Sequence, residues 1–301
     1  MNVPETPAAV GIDLGGTQIK AVVVEASGAI VRQELRPTFD ASAGAPFWAE
    51  TIRALATELG AGLPVGLSAP GLASPDGRAI ALMPGRLQGL EGLDWTNFLS
   101  RQRVVPVVND AHAALLGEAW IGAARGLRDC IMLTLGTGVG GAILADGKLL
   151  RGHLGRAGHL GHVCLDPHGA PDIVGTPGSL EDQIGNHNIA QRTQGRFATT
   201  HELIAAAAAG DEFASRVWSD SIRALACAVV SFINILDPEA VIIGGGIAQA
   251  GDALFGPLGA ELDRLEWRPG GHPTPIIRAR LGEWAGAVGV ASAAAATGVP
   301  Y

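Results

Sequence analysis

Apolar and polar residues alternate from the first dozen positions onward. Val10, Ile12 and Leu14 are separated by Gly11 and Asp13, the period-two spacing of a strand with one apolar face. Gly15-Gly16-Thr17 interrupts the pattern before the β-branched run from Ile19 to Val24, which predicts a hairpin tipped by two glycines and a hydroxyl. Between Ala45 and Gly60 the apolar positions Trp48, Ile52, Leu55 and Leu59 switch to helical spacing, with Gly60 as the stop. Leu63 to Gly71 predicts a short strand entering a Pro-Gly turn, Asp76-Gly77 a further turn, and Met83 to Gly92 a loop. Val104 to Val108 predicts a buried strand, Pro106 points to a sheet edge, and Ala111 to Gly122 follows as a helix.

The second half repeats this opening. Asp129 to Leu135 is a strand, Gly136-Thr137-Gly138-Val139-Gly140-Gly141 follows, and Ala142 to Leu150 reads as strand, Asp-Gly turn, strand. A dinucleotide-binding glycine loop must open a helix, so these glycines are not one. They form a second strand–glycine turn–strand unit, and two such tips suggest two similar lobes meeting over one polyphosphate. Arg151 to Asp182 has no clear periodicity. Glu202 to Ala209 and Asp211 to Leu236 are helical, the second apolar along one side (Phe213, Val217, Ile222, Leu225, Val229, Phe232, Ile233) and ended by Pro238. Ala240 to Ala248 is strand, triple glycine and helix start; Ile276 to Leu281 is a last strand and Trp284 to Thr297 a final alanine-rich helix.

Glycine tips let backbone N–H groups converge on an anion, although Gly-Gly is also ordinary hairpin chemistry. Asp13, just before the first tip, is placed to hold a hydrated Mg²⁺ rather than to bury itself. Asn109 and Asp110 stand between strand and helix, where one caps the helix and both face the crevice in which α/β ligands bind. Gly244 to Gly246 offer a third stretch of bare backbone. His153, His159, His162 and His168 raise the question of zinc, but Gly158 and Gly161 favour a loop, and Cys164 alone lies near.

Composition narrows the rest. A chain of 301 residues accommodates two domains and a large core. A net charge of −8 without a basic tract argues against nucleic acid or an anionic membrane as the main partner. No uninterrupted apolar run approaches the ~18 residues of a membrane span, and Met1 to Pro7 lacks the features of a signal peptide. Cys130, Cys164 and Cys227 are odd in number and far apart, which suggests reduced thiols in a cytoplasmic protein.

Asp13-Leu-Gly-Gly-Thr17, Asn109-Asp110-Ala111, Leu135-Gly-Thr-Gly-Val-Gly-Gly141, Ala157-Gly-His-Leu-Gly-His162, Gly178-Ser-Leu-Glu181 and Ile243-Gly-Gly-Gly246 occur in the order of the ROK family. This family comprises repressors, open reading frames and sugar kinases within the hexokinase/actin-like superfamily, and the resemblance spans nearly the whole chain. It implies an α/β protein with two ribonuclease H-like lobes and a cleft between them that closes over ATP and a sugar. The N-terminal lobe would be 1–109 completed by the C-terminal helix 285–301, the larger lobe 110–284. Asp110 would be the general base for the sugar's primary hydroxyl. Gly15, Gly16, Thr17, Thr137 and Gly138 would hold phosphates, Gly245 and Gly246 the adenosine, and Asp13 a Mg²⁺ through water. Asn109, Asp110, His159, His162 and Glu181 would face the sugar. Family frequency favours a homodimer.

The departures concern the sugar side. His159 stands where relatives commonly carry Glu against the anomeric side, and His112 where they often carry Asn. Asp172, Val174 and Ser179 replace the cysteines of the family's CxCGxxGC motif, so no structural zinc is expected. His162, which binds that zinc in relatives, then needs another partner to fix its ring, and Asp172 is the candidate. The leading expectation is an ATP-dependent kinase for a hexose or hexose-like polyol. A catalytically silent sugar- or nucleotide-binding protein is the alternative. A repressor would need a helix-turn-helix domain, for which the twelve residues before Asp13 are too few.

Overall fold

The computed structural model describes residues 9–39, 47–60, 62–83 and 85–296. The expectations for Met1 to Pro7, the helix start at Ala45, Pro84 in the loop, and Thr297 to Tyr301 lie outside the described residues. β1 (Ala9–Leu14) and β2 (Gln18–Val24) pair antiparallel across the first glycine turn, as the alternation predicts. β3 (Ile30–Pro37), in a stretch the pattern leaves unassigned, adds to β2. α1 (Phe47–Gly60) buries Trp48, Ile52, Leu55 and Leu59. β4 (Val65–Ala69) runs parallel to β1, β5 (Leu72–Ala73) and β6 (Ile80–Leu82) form a small ribbon, and α2 (Trp95–Phe98) is one turn capped by Asp94. β7 (Val107–Asn109) is the edge strand that Pro106 foretells, and α3 (Asp110–Ile121) starts directly from it.

β8 (Cys130–Leu135), β9 (Val139–Ala145) and β10 (Lys148–Leu149) repeat the meander, with Asp146 and Gly147 both at positive φ in the expected turn. The irregular middle leads to α4 (Leu180–Ile184), α5 (Ile189–Arg192), α6 (Thr200–Ala208) and α7 (Glu212–Leu236). β11 (Ala240–Gly244) lies parallel to β8, followed by α8 (Asp252–Leu265), β12 (Ile276–Arg278) and α9 (Ala285–Ala295). The pattern gives no sign of α8, which carries Pro257 inside it. The carbonyl of Ala253 that Pro257 cannot serve accepts from the Trp218 indole N–H at 3.0 Å.

The sheets run β3-β2-β1-β4-β7 and β10-β9-β8-β11-β12. Numbered within each sheet, both read third, second, first, fourth, fifth. The two glycine turns therefore occupy equivalent places, each joining the first and second strands of its sheet. The chain divides into two compact units, which follow the sheets except that β10 falls with the first: one extends to Gly126 and takes in Lys148–Ala157 and the chain from Arg280, the other Leu127–Gly147 and Gly158–Ala279. α3 stays with the first unit, which does not coincide with a division between Asn109 and Asp110. The reason is α9. A Cβ on Gly117 would stand 2.5 Å from the Ala285 carbonyl oxygen, and one on Gly289 would fall onto the Ala113 carbonyl, so α3 and α9 touch backbone to backbone. Gly11 and Gly66 likewise let α9 lie directly on β1 and β4.

In the second unit α7 is long and apolar enough to cross a membrane by length and composition. Its apolar side, including Ile222, Leu225, Val229 and Phe232, is buried in the core. Arg216, Asp220 and Arg223 lie on its exposed side.

If the α3–α9 approach sets the first unit's geometry, Gly289→Val costs roughly 3 kcal/mol by overpacking a backbone contact. Chemical denaturation measures it, and an unchanged midpoint would contradict the packing described.

Candidate active site

The first glycine turn is built by pinning carbonyls. Thr38 Oγ1 donates to Gly15 O at 2.7 Å, the Thr38 N–H to Thr17 O at 2.9 Å, and the Arg86 guanidinium to Gly16 O at 3.0 Å. In a trans peptide the C=O and the following N–H point opposite ways. Tying the Gly15 and Gly16 carbonyls therefore turns the N–H groups of Gly16 and Thr17 the other way, and neither meets a protein acceptor among the described residues. The second turn is pinned in the same manner. Asn186 N donates to Gly136 O at 2.9 Å, His187 N to Thr137 O at 2.8 Å, and Gly136 N to Gly138 O at 2.9 Å. The N–H groups of Thr137 and Gly138 are then the ones left for a ligand. Bare donors converging at a turn suit an anion.

Asp13 closes β1. The parallel register with β4 sets it beside Ser68, whose buried hydroxyl donates to its carboxylate, and a Cβ on Gly286 of α9 would stand 3.1 Å from its carboxyl carbon. The sequence expects an open carboxylate; it is instead half-buried, because β1 is an inner strand covered by α9. Burial raises its pKa, while Ser68 and the charge of Lys20 pull it back.

Asn109 performs the capping that its position foretells. Its Oδ1 accepts from Ala111 N at 3.0 Å and His112 N at 3.2 Å, and its amide donates to Gly71 O at 2.9 Å. His112, which the sequence leaves without a role, is buried and bonds the Ala157 carbonyl at 2.9 Å. Asp110 is the first residue of α3, and its Oδ1 accepts from Ala111 N at 2.8 Å. The residue keeps an open face to solvent, which limits how far its charge is disfavoured. Crowding of the carboxyl by surrounding protein, with the negative charge of Asp13 second, still pushes its pKa up to about 6 against the helix N-terminal hydrogen bonds. A carboxylate in that range is well matched to taking a proton from an alcohol near neutrality.

In the second unit Glu181 braces the glycine turn. Its Oε2 accepts from Val139 N at 2.8 Å, and a Cβ on Gly138 would collide with its carboxylate. His162 ends the short helical turn Leu160–His162 that follows the half-buried His159. Its Nδ1 lies 2.8 Å from Asp172 Oδ2, and Asp172 Oδ1 accepts from Val174 N at 3.0 Å and Thr176 N at 2.9 Å. The Asp172 side chain has no exposed surface. Burial alone would raise its pKa, but His162, the Thr176 and Val174 N–H groups and Ser179 together hold it below the usual carboxylate range. A charged, acceptor-only partner fixes the proton on Nδ1 and leaves Nε2 to face a ligand.

Asp172 thus does for the His162 ring what a metal would do, with its oxygens already taken by hydrogen bonds. Among the described residues no three His, Cys, Asp or Glu side chains gather as a metal set. For Mg²⁺ the fit is different: Asp13 is a hard oxygen donor, and the repulsion between Asp13 and Asp110 is a field that a dication relieves. Gly245 has φ +88° and packs on the Leu135 backbone, so the fold itself requires it, whereas a Cβ on Gly246 would meet open space. Of the residues singled out by sequence, Asp13 and Asp110 come within electrostatic reach of each other, and Glu181 meets the turn of Thr137 and Gly138. Ser68, Thr38, Arg86 and His187, which hold these groups, carry no sequence signal, since each acts on a partner distant along the chain.

The sequence model of the ROK family matches residues 9–297. A glucokinase of Halalkalibacterium halodurans is 31% identical, with 93% of this chain and 92% of the relative covered. An N-acetylmannosamine kinase of Escherichia fergusonii is 33% identical, over 79% of this chain and 83% of the relative. A ROK family glucokinase from Streptomyces griseus, solved in complex with glucose and AMPPNP, superposes with a TM-score of 0.78 at 26% identity, covering 95% of this chain and 99% of that one.

The raised Asp110 pKa has a stability consequence. The folded state binds this proton more tightly than the unfolded chain, whose carboxyl titrates near 3.8, so ionised Asp110 costs stability above about 6. Asp110→Asn is expected to melt higher than the parent at neutral pH, with the gap shrinking as pH falls through about 6. Calorimetric melting across that range measures it; a lower melting point at neutral pH contradicts the assignment.

Proposed function

This chain belongs to the ROK family and, from its likeness over most of its length to glucokinases and an N-acetylmannosamine kinase, is a sugar kinase; we propose that it transfers the γ-phosphoryl group of ATP to the primary hydroxyl of a hexose or hexose-like polyol. The observation that carries the reading is the pair of like-built glycine turns, each with its carbonyls tied back and its N–H groups bare. Phosphoryl transfer asks a protein mainly for positioning and charge neutralisation, and such turns supply donors without side chains in the way. Gly15, Gly16 and Thr17 at one turn, and Thr137 and Gly138 at the other, are assigned phosphate contacts; Gly245 and Gly246 are assigned the adenosine. Mg²⁺ carried with ATP, near Asp13, would supply counter-charge to the phosphates. Asp110 accepts the proton of the attacking hydroxyl, and its raised pKa supports that role.

His162, its proton held on Nδ1 by Asp172, offers Nε2 as an acceptor to a sugar hydroxyl. Glu181 and the Asn109 amide are assigned further hydroxyls, and His159 the anomeric side. A site that hydrogen-bonds particular hydroxyls discriminates against sugars that lack them. A homodimer belongs to the reading on family resemblance alone, and a cytoplasmic location on the three scattered cysteines.

ADP release with ATP and Mg²⁺ against a panel of glucose, mannose, N-acetylmannosamine, glucosamine and a cyclitol tests the activity. One sugar is expected to stand well above the rest; no release with any of them favours a silent sugar- or nucleotide-binding protein. Asp110→Asn lowers turnover by about 10²–10⁴-fold with nucleotide affinity little changed, and near-parental turnover would remove Asp110 from the mechanism. His159→Glu shifts the order of preference across the panel; an unchanged ranking would show that this position does not set specificity.

A further inference from the structure

His187 stands in the short helical turn Asn186–Asn188, between α4 and α5. Its ring Nδ1 lies 3.0 Å from Thr137 O, and its Nε2 lies 2.9 Å from Asp182 Oδ1. A carbonyl oxygen and a carboxylate oxygen are both acceptors. A neutral imidazole has one donor and one acceptor nitrogen, so it satisfies only one of these two contacts. Protonated on both nitrogens, the ring satisfies both, and the contact to Asp182 becomes a charge-assisted hydrogen bond. Three helices around this segment carry charged groups. α4 brings Asp182, directly on the ring, while its Glu181 carboxylate is turned to Val139 N. α5 brings Arg192, whose guanidinium donates to Gly185 O at 3.1 Å. α6 touches Asn186 through Thr200 N and turns its Glu202 to Ala198 and Thr199. The carboxylate in direct contact with the ring favours a cation there.

The same residue acts on the second glycine turn. Thr137 O accepts twice from His187, from its backbone N–H at 2.8 Å and from its ring. That carbonyl belongs to the peptide whose N–H is that of Gly138. Holding the oxygen fixes the direction of the N–H, and a cationic donor on the oxygen polarises the whole peptide and strengthens the N–H as a donor. We propose that His187 is a positioning residue for the Gly136–Gly138 turn and works as an imidazolium, clamped between Thr137 O and Asp182. Nucleotide affinity is then tied to the protonation of this ring. The statement about nucleotide rests on the sugar-kinase reading; the statement about the ring does not.

Two variants and two measurements separate the parts. ¹⁵N spectra of the His187 ring in the intact protein are expected to show both nitrogens protonated at neutral pH; a single protonated nitrogen there overturns the proposal. Binding of AMPPNP with Mg²⁺ is followed by calorimetry from mildly acidic to mildly alkaline pH. The parent is expected to bind more weakly as the ring loses its proton. His187→Phe, which keeps the backbone bond but loses both ring contacts, is expected to bind about tenfold more weakly and without that pH dependence. Asp182→Asn offers an amide donor to Nε2, so the ring can bond both partners while neutral. It is expected to bind nucleotide with the pH dependence gone and with a neutral ring in the spectrum. Parental affinity and pH profile in His187→Phe overturn the proposal, as does an unaltered pH profile in Asp182→Asn. If the parent binds no AMPPNP while its ring is doubly protonated, the kinase reading fails and the clamp stands.

Discussion

A trans peptide points its N–H away from its carbonyl, so a protein chooses where a backbone donor points by choosing what holds the oxygen behind it. Both glycine turns are governed by this constraint. In the first, Thr38 and Arg86 hold the oxygens; in the second, Asn186 and His187 do. The anchoring groups share nothing in chemistry or in chain position. The result is nonetheless the same pair of bare N–H groups at the junction of first and second strands in two sheets of identical order. The glycines make this possible sterically, since a Cβ on Gly16 would collide with Arg86 and one on Gly138 with Glu181.

Two carboxylates depend on a second constraint, the close approach of α9. Because Gly11 and Gly66 admit its backbone and its own Gly289 admits that of α3, α9 covers β1 and β4 and holds α3 against them. Asp13 is thereby half-buried at the end of β1, and Asp110 is fixed at the first turn of α3 within reach of its field. The same packing that stabilises the first unit raises the cost of charge at both groups. That cost favours a cation near Asp13 and leaves Asp110 basic enough to matter near neutral pH.

Much of this was legible in the sequence, and the rest was hidden for physical reasons. The turns of Gly15–Thr17 and Gly136–Gly138 could be read because their flanking strands alternate cleanly and no helix follows. The Asn109 cap could be read from its place between strand and helix. β3 could not, because Arg32, Gln33, Glu34 and Arg36 lie along an edge strand with little burial to impose a pattern. α8 was masked by Pro257, whose unserved carbonyl is rescued by Trp218 from another helix. The half-burial of Asp13 was invisible since Ser68 and Gly286, which cause it, are far along the chain. The pairing of Asp172 with His162 could be read because the ring needs a partner where the family's cysteines are replaced, and Asp172, ten residues on, stands in the place of one of them.

In the proposed kinase reaction the N–H groups of both turns would bind the nucleotide's phosphates. Amide resonances of Gly16, Thr17, Thr137 and Gly138, followed while AMPPNP and Mg²⁺ are titrated into the protein, test it most directly. Downfield movement of these amide protons at both turns, in step with saturation, is the predicted result. Saturable binding that leaves the amides of either turn unmoved would contradict it.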